Sequence, residues 1–260
     1  MNAGFDIAAA NYDNSFTHTV IGKLQRELVY GHLSGILQGN RVQDILEINC
    51  GTGEDAIWLA QQKYTVTATD ISPSMVAVAE KKTNLENLSF RQADINRLPQ
   101  PFPDEKFDLI FSNFGGLNCL SKTELGQFLK NASGLLTRNG QLVLVIMPKN
   151  TVWEQLYFLA KADFKSVFRR KKENVVANVD GQNVKTHYFN PKEVAHLASA
   201  DFRIKLLKPI GFFIPPSYLE PFFRSRPKLV SVLHSLENTA GKHSFLSKYA
   251  DHYLITLQKK

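Results

Sequence analysis

The sequence predicts an α/β fold, in which a parallel sheet carries helices on both faces. Between about residues 42 and 147, short apolar runs alternate with longer amphipathic stretches. Such alternation is typical of strands and helices that follow one another and build a parallel sheet. The runs expected to form strands are 44–48, 65–69, 88–91, 107–111 and 141–146, with helices at 55–62, through 75–79 and at 121–136.

A helix is expected ahead of the first strand. Its apolar positions share one stripe, so we expect it to pack on the outside of the domain or over the ligand cleft. These positions are Val20, Leu24, Leu28, Leu33 and Leu37.

The chain beyond the fifth strand predicts a second set of additions. Asp180-Gly181 is typical of a hairpin turn, and Asn190-Pro191 of a helix start. These additions fit either plain scaffold or walls of a pocket at the carboxyl edge of the sheet. The expected elements are a helix at 152–168, hairpin strands at 175–179 and 184–189, a helix near 229–236, and strands at 203–207 and 252–257.

Composition excludes several classes of protein. The 260 residues are 43% hydrophobic and 21% charged, which is typical of a folded chain. Two cysteines exclude a disulfide framework and a four-thiolate zinc site, and we find no other spacing that suggests a metal. No signal peptide and no apolar run of about 18 residues is present, so we expect no membrane span and a cytoplasmic setting.

The net charge of +7 raises the chance of an anionic partner. Part of the excess lies in the run Phe164–Lys172, which is most simply a solvated face. It falls short of a nucleic-acid track, so no nucleic-acid partner is favoured. The sequence leaves the oligomeric state open.

The sharpest signal is a glycine loop between the first strand and its helix. Gly51 and Gly53 allow a ligand to approach a tight turn, and the helix beyond offers free N–H groups. The segment also fits the dinucleotide pattern G-x-G-x-x-G/A. Glu54 and Asp55, however, stand where a pyrophosphate would lie and would repel it.

Glu47 lies inside the otherwise apolar first strand. A buried carboxylate costs several kcal/mol unless a partner compensates it, and an ammonium group of a ligand would do so. A ligand that carries an amine, a carboxylate and a sulfonium therefore fits this loop better than NAD does.

The segment Leu46-Glu47-x-x-Cys50-Gly51-Thr52-Gly53 resembles motif I of the class I S-adenosylmethionine-dependent methyltransferases, close to the ubiquinone/menaquinone-type small-molecule members. Three later segments resemble further motifs in the family order. They are Thr69-Asp70-Ile71-Ser72, Gln92-Ala93-Asp94-Ile95 and the fourth strand with Ser112-Asn113. The resemblance is strong over about residues 42–147, and Asn49 departs from it, since relatives often carry glycine there.

The resemblance implies a Rossmann-like, seven-stranded, mostly parallel sheet with an antiparallel edge strand. It also implies S-adenosylmethionine as the cofactor. Asp70 would grip both ribose hydroxyls, Asp94 the adenine amine, and Glu47 the methionine amine, directly or through water. Ser72 fits either a place beside the ribose or a plain helix cap before Pro73. The full predicted cofactor set is Tyr12, Glu47, Asn49, Gly51, Thr52, Gly53, Asp70, Ile71, Ser72, Asp94, Ile95 and Asn113.

We therefore predict a single methyltransferase domain over residues 1–260. Residues 1–40 would form a helical lid, with Tyr12 closing over the cofactor as in related enzymes. Residues 41–150 would form the cofactor-binding core, and residues 151–260 the hairpin, the last two strands and a substrate-covering insertion.

The motifs leave the methyl acceptor open. The aromatic stretch from Phe212 to Phe223 suggests a wall for an apolar or ring-bearing small molecule, although it also fits a buried loop. We slightly favour an oxygen atom of the acceptor as the methylated atom over nitrogen or carbon. No catalytic residue is identified, and His18 and His187 are the candidate bases. Two alternatives remain, namely a non-catalytic module that binds S-adenosylmethionine and an NAD-dependent oxidoreductase.

Overall fold

The computed structural model describes residues 3–39, 42–179 and 182–260. A seven-stranded sheet forms the centre. Its strands are β1 (Asp44–Ile48), β2 (Thr65–Asp70), β3 (Leu88–Gln92), β4 (Phe107–Ser112), β5 (Leu136–Ile146), β8 (Phe202–Ile210) and β9 (His252–Lys259). They lie in the order β3-β2-β1-β4-β5-β9-β8. The first five strands of that order are parallel, and β9 pairs antiparallel with β5 and β8.

Helices cover both faces of the sheet, and the two apolar clusters between the layers form the core. A separate hairpin pairs β6 (Val175–Val179) with β7 (Gln182–Thr186). The helices are α1 (Ala3–Ala8), α2 (Val20–Gln38), α3 (Glu54–Gln61), α4 (Pro73–Glu80), α5 (Lys122–Leu135), α6 (Val152–Ala160), α7 (Pro191–Ala198), α8 (Glu220–Phe223) and α9 (Pro227–Ala240). The predicted fold class is confirmed, and at the predicted antiparallel edge the outer strand β8 pairs antiparallel with β9.

The predicted helix over 152–168 is wrong beyond Ala160. Ala162 adopts a left-handed conformation with φ of 55°, and the N–H of Asp163 donates to the carbonyl of Phe158 over 2.9 Å. These are the hydrogen bond and the conformation of a Schellman ending. The rest of the segment consists of turns.

Two smaller predictions also need correction. Val20 is exposed, because it is the first helical residue after the Thr19 cap and Ile21 takes the buried position. The second hairpin strand ends at Thr186, since the N–H of His187 turns away to the carbonyl of Asn118. The predicted turn at Asp180-Gly181 lies outside the described residues.

Candidate functional site

The four motifs converge at one edge of the sheet. β2, β1 and β4 are neighbours, so Asp70, the glycine loop and Asn113 follow adjacent carboxyl ends. The N–H of Cys50 donates to the carbonyl of Thr69 over 2.9 Å and ties the loop to β2. This is the edge at which open α/β sheets bind ligands.

The glycine loop is tightly turned. Gly51 and Gly53 have φ of 53° and 80°, and a Cβ at Gly53 would lie 2.8 Å from the Cβ of Ala79. Asn49 also has a positive φ, of 57°. Asparagine tolerates this region better than most residues, which explains how it stands where relatives often carry glycine.

Glu47 is 1% exposed, and its Oε2 has no hydrogen-bond partner within the protein. Burial raises the pKa of this carboxyl well above its ordinary value, the negative charge of Asp55 raises it further, and Arg26 acts in the opposite direction. A buried oxygen without a partner requires an explanation. An ammonium group of a ligand would supply the missing donor.

Arg26 of α2 reaches the same region. Its Nε donates to Oδ1 of Asp55 over 2.8 Å, while its Nη1 is buried without a partner. Tyr30 and Asn113 also donate to the Asp55 carboxylate, over 2.8 and 3.0 Å. Asp55 is therefore a structural anchor whose carboxylate already has three partners, and the prediction that it repels a pyrophosphate is wrong.

Asp70 ends β2 with both carboxylate oxygens directed at backbone. Oδ2 accepts from the N–H of Gly51 and Oδ1 from that of Ser72, each over 2.9 Å. Burial raises the pKa of Asp70 despite these hydrogen bonds. Ser72 caps α4 by accepting from the N–H of Met75, so it has the capping function that the sequence allowed.

The other predicted cofactor residues lie at the same edge of the sheet, and each makes a local contact within the protein. Asp94 accepts from the N–H of Asn96 and begins the turn in which Ile95 lies half-buried. The carbonyl of Ile71 accepts from Gln92. Asn113 accepts from the N–H of Phe114 through its side chain.

The N-terminal segment packs directly on the motifs. The Thr52 hydroxyl donates to Asp13 over 2.6 Å, and Asp13 also pairs with Lys82. The position of a Cβ on Gly51 would lie 4.0 Å from the Tyr12 ring. Burial raises the pKa of the Tyr12 phenol to about 12.

The two predicted candidate bases occupy different places. His18 is exposed and lines a cavity of about 500 Å³ together with Tyr218 and Arg224. His187 is buried, and its Nδ1 lies 2.9 Å from the carbonyl of Glu173. Neither of these contacts involves Asn113 or Phe114.

His252 is not among the residues predicted from the sequence. This residue begins β9 beside the carboxyl end of β5, and its ring lies edge-on to Phe114 at 5.4 Å between centroids. Its Nδ1 lies 3.2 Å from Oδ2 of Asp251. The adjacent Asp-His pair was the available signal, but only the antiparallel return of β9 brings it to the site.

The aromatic stretch at 212–223 is partly structural. Glu237 accepts hydrogen bonds from the four backbone N–H groups of residues 211–214, and Ile214 and Phe223 are buried against Ile21. Tyr218 and Phe222 are exposed.

Within residues 3–39, 42–179 and 182–260, no group of three or more His, Cys, Asp or Glu side chains could hold a metal ion. The helices of the described chain are all too short or too polar to cross a bilayer.

Comparison with known proteins identifies the class. The family profile described as "Methyltransferase domain" matches residues 45–140. A demethylmenaquinone methyltransferase of Chlorobaculum parvum is 27% identical over 80% of this chain and 82% of its own. A malonyl-[acyl-carrier protein] O-methyltransferase of Bacillus anthracis is 27% identical over 76% of this chain and 67% of its own.

Solved structures share the fold. The structure described as the DhpI–SAH complex superposes with a TM-score of 0.61 at 17% identity, covering 98% of this chain and 93% of that one. A SAM-dependent methyltransferase of Methanosarcina mazei gives a TM-score of 0.57 at 21% identity, covering 85% and 93%.

The fold, the motif edge and these relatives define an S-adenosylmethionine-dependent methyltransferase. The chain is similar to the class I enzymes, its cofactor is S-adenosylmethionine, and these findings argue against the oxidoreductase alternative.

Proposed function

We propose that this methyltransferase methylates a small organic acceptor with an apolar or aromatic body, at an oxygen atom. One observation carries the proposal, an aromatic cluster at the end of β4. Phe114 lies 5.4 Å from Phe16 and 5.4 Å from His252, and Tyr12 lies 5.9 Å from Phe16, between ring centroids. Aromatic walls of this kind suit ring-bearing ligands.

The cofactor roles belong to the same proposal. Glu47 would bind the methionine ammonium through Oε2, and Arg26 the methionine carboxylate through Nη1. Both atoms are buried without a partner, and the carboxyl oxygen can accept a hydrogen bond while the guanidinium nitrogen can donate one. Asp70 would bind the ribose and Asp94 the adenine amine. The remaining contacts would come from the loop and its surroundings, namely Tyr12, Asn49, Gly51, Thr52, Gly53, Ile71, Ser72, Ile95 and Asn113.

When bound, S-adenosylmethionine supplies an electrophilic methyl group for in-line displacement. The protein's part is to align the acceptor oxygen, exclude water and remove the hydroxyl proton. We propose that His252, rather than His18 or His187, removes the hydroxyl proton, because the His252 ring contacts Phe114. The Asp251 carboxylate, whose Oδ2 lies 3.2 Å from Nδ1, would stabilise the positive charge that His252 gains with the proton.

The names of the relatives support this acceptor class. One set is named for demethylmenaquinone, and another carries O-methyltransferase in its name. A hydroxylated ring with apolar substituents fits the aromatic cluster better than a malonyl thioester does. The cytoplasmic setting is part of the proposal, and the two free cysteines agree with it.

The N-terminal segment is proposed as the lid. Its contacts through Asp13 and Tyr12 cover the glycine loop, so cofactor exchange would require these contacts to open.

The test measures S-adenosylhomocysteine release from S-adenosylmethionine with three acceptors, a hydroquinone bearing an alkyl chain, the same compound with both hydroxyls blocked, and a malonyl thioester. Release with the free hydroquinone alone, and an O-methyl product by mass spectrometry, is the expected result. Release with only the thioester, or with none, would overturn the acceptor proposal. The His252→Gln variant should lower turnover and leave S-adenosylhomocysteine affinity unchanged.

A further inference from the structure

A short stretch that follows β5 in the chain exposes large apolar side chains. Leu156 and Leu159 are exposed on α6, and Phe164 and Phe168 beyond it are 71% and 54% exposed. Single exposed apolar residues are ordinary, but several within one short stretch indicate an interaction surface. We call these four residues, with Lys161, Lys165, Lys171 and Lys172, the basic aromatic surface.

The surface is positively charged. All four lysines are exposed. Two of them lie over aromatic rings, since Lys161 Nζ is 4.5 Å from the Tyr157 ring centroid and Lys171 Nζ is 4.3 Å from that of Phe168. Cations and phenyl rings are therefore presented together.

Nearby acids offset this charge only in part. Glu154 is buried and accepts from Arg169 and Arg170 over 2.8 and 2.9 Å, so its charge is already matched. Asp163 is half-buried and accepts from the N–H of Ser166, and Glu173 is the exposed acid that follows the last lysine.

A buried ion cluster holds the surface in place. Arg170 bridges Glu154 of α6 to Asp251, whose Oδ1 lies 3.1 Å from Nη2. The N–H of Val152 also donates to the carbonyl of Tyr249 over 3.0 Å. The exposed rings are therefore carried on an anchored segment.

We propose that the basic aromatic surface binds the surface of an anionic lipid bilayer. The phenyl rings would enter the boundary between headgroups and acyl chains, and the lysines would lie among lipid phosphates, as in interfacial protein segments. Protruding rings favour lipid over a folded acidic protein, because a bilayer accepts side chains of any shape while a protein must offer matching pockets.

The surface also adjoins a cavity. Tyr157 of α6 lies 5.3 Å from Tyr218, between ring centroids, and Tyr218 lines the cavity of about 500 Å³ that contains His18. Where the acceptor is apolar, as in the proposed function, bilayer binding would bring the enzyme to the phase in which that acceptor dissolves.

Vesicle sedimentation of the purified full chain tests the proposal. Vesicles of phosphatidylcholine alone are compared with vesicles that contain phosphatidylglycerol, at low and high salt. We expect binding to the anionic vesicles only, weakened by salt because the headgroup attraction is screened.

Two variants and two matched controls locate the contact. Phe164→Ser with Phe168→Ser, and separately Lys165→Gln with Lys171→Gln and Lys172→Gln, should each weaken anionic-vesicle binding at least about tenfold. Ile204→Ser on β8 and Lys130→Gln on α5 change exposed residues elsewhere and should bind like the wild type. Circular dichroism checks that every variant is folded.

Absence of binding to anionic vesicles, or equal binding by the wild type and the Phe164/Phe168 variant, would overturn the proposal. Retention on an acidic acyl carrier protein but not on vesicles would assign the surface to a protein partner instead. Transfer to a water-soluble phenol without vesicles reports on the proposed function separately, because these substitutions lie outside the aromatic cluster.

Discussion

Nε of Arg26 lies 2.8 Å from Oδ1 of Asp55, and this buried ion pair joins the N-terminal helix α2 to the first turn of the helix behind the glycine loop. Breaking such a pair typically costs about 3–5 kcal/mol. Arg26 has a second nitrogen, Nη1, that is buried and without a partner. The same side chain can therefore anchor the proposed lid and bind a cofactor carboxylate.

Arg26→Lys should separate these two roles. The lysine ammonium retains a positive charge that can pair with Asp55. It lacks the planar guanidinium, whose separate N–H groups can donate to Asp55 and to a cofactor carboxylate at the same time. We expect S-adenosylhomocysteine affinity to fall roughly tenfold, about 1.4 kcal/mol, with the fold retained. Titration calorimetry measures the affinity, and Arg91→Lys, at the exposed pair with Glu105, is the control. Unchanged affinity would remove Arg26 from the carboxylate site.

Asp70→Ala should abolish most cofactor affinity. A carboxylate has two acceptor oxygens for the two ribose hydroxyls, and alanine has none. The exposed Asp104→Ala should bind S-adenosylhomocysteine like the wild type. Thermal unfolding without ligand checks that the Asp70 variant folds, and a folded variant with normal affinity would argue strongly against this site.

Cofactor affinity should increase with pH through the titration of Glu47. Burial raises the pKa of this carboxyl well above its ordinary 4.5, so the free protein retains a proton at pH values where an exposed glutamate has lost it. An ammonium group stabilises the charged form, so binding releases that proton. Calorimetry in buffers of different ionisation enthalpy should detect the release, and Glu47→Gln should abolish it. Proton uptake by the wild type would contradict the assignment.

Asp13→Asn should speed cofactor dissociation. Asp13 pairs with Lys82 and accepts from Thr52, so loss of its charge loosens the N-terminal segment over the glycine loop. Stopped-flow displacement of S-adenosylhomocysteine should show a higher dissociation rate. Asp44→Asn, at the amino edge of the sheet, should leave that rate unchanged, whereas equal rates for Asp13→Asn and the wild type would speak against a lid.

Stability toward acid should depend on Asp251. Burial alone would raise the pKa of this carboxyl, but His252 and Arg170 outweigh it and hold the pKa below its ordinary 3.8. Because the folded pKa is lower than the unfolded one, the contribution is complete above about pH 5 and is lost as the pH falls below about 4. In urea unfolding from pH 6 to pH 3, Asp251→Asn should flatten the loss of stability that the wild type shows. Identical slopes would exclude this linkage.

The sequence predicted the parallel sheet and the motif edge because both depend on local patterns. Glu47, the glycine loop and Asp70 lie within or directly after their strands, so strand order brings them together. The partners of Asp55 could not be predicted in this way. Two of these partners, Arg26 and Tyr30, come from a helix ahead of the sheet. The position of His252 could not be predicted either, because this residue lies on the last strand. Their places depend on tertiary packing rather than on spacing along the chain.

The end of α6 shows a different limit. Apolar periodicity continues past Ala160, but a left-handed residue at Ala162 ends the helix. Alanine rarely adopts that conformation, so nothing in the sequence marked the break.

The most direct test of the central account is calorimetric titration of the purified protein with S-adenosylhomocysteine and, separately, with NAD. We expect micromolar binding of S-adenosylhomocysteine, accompanied by proton release, and no binding of NAD. Binding of NAD without binding of S-adenosylhomocysteine would contradict the reading of the glycine loop, and the roles of Glu47, Arg26 and Asp70 would fail with it.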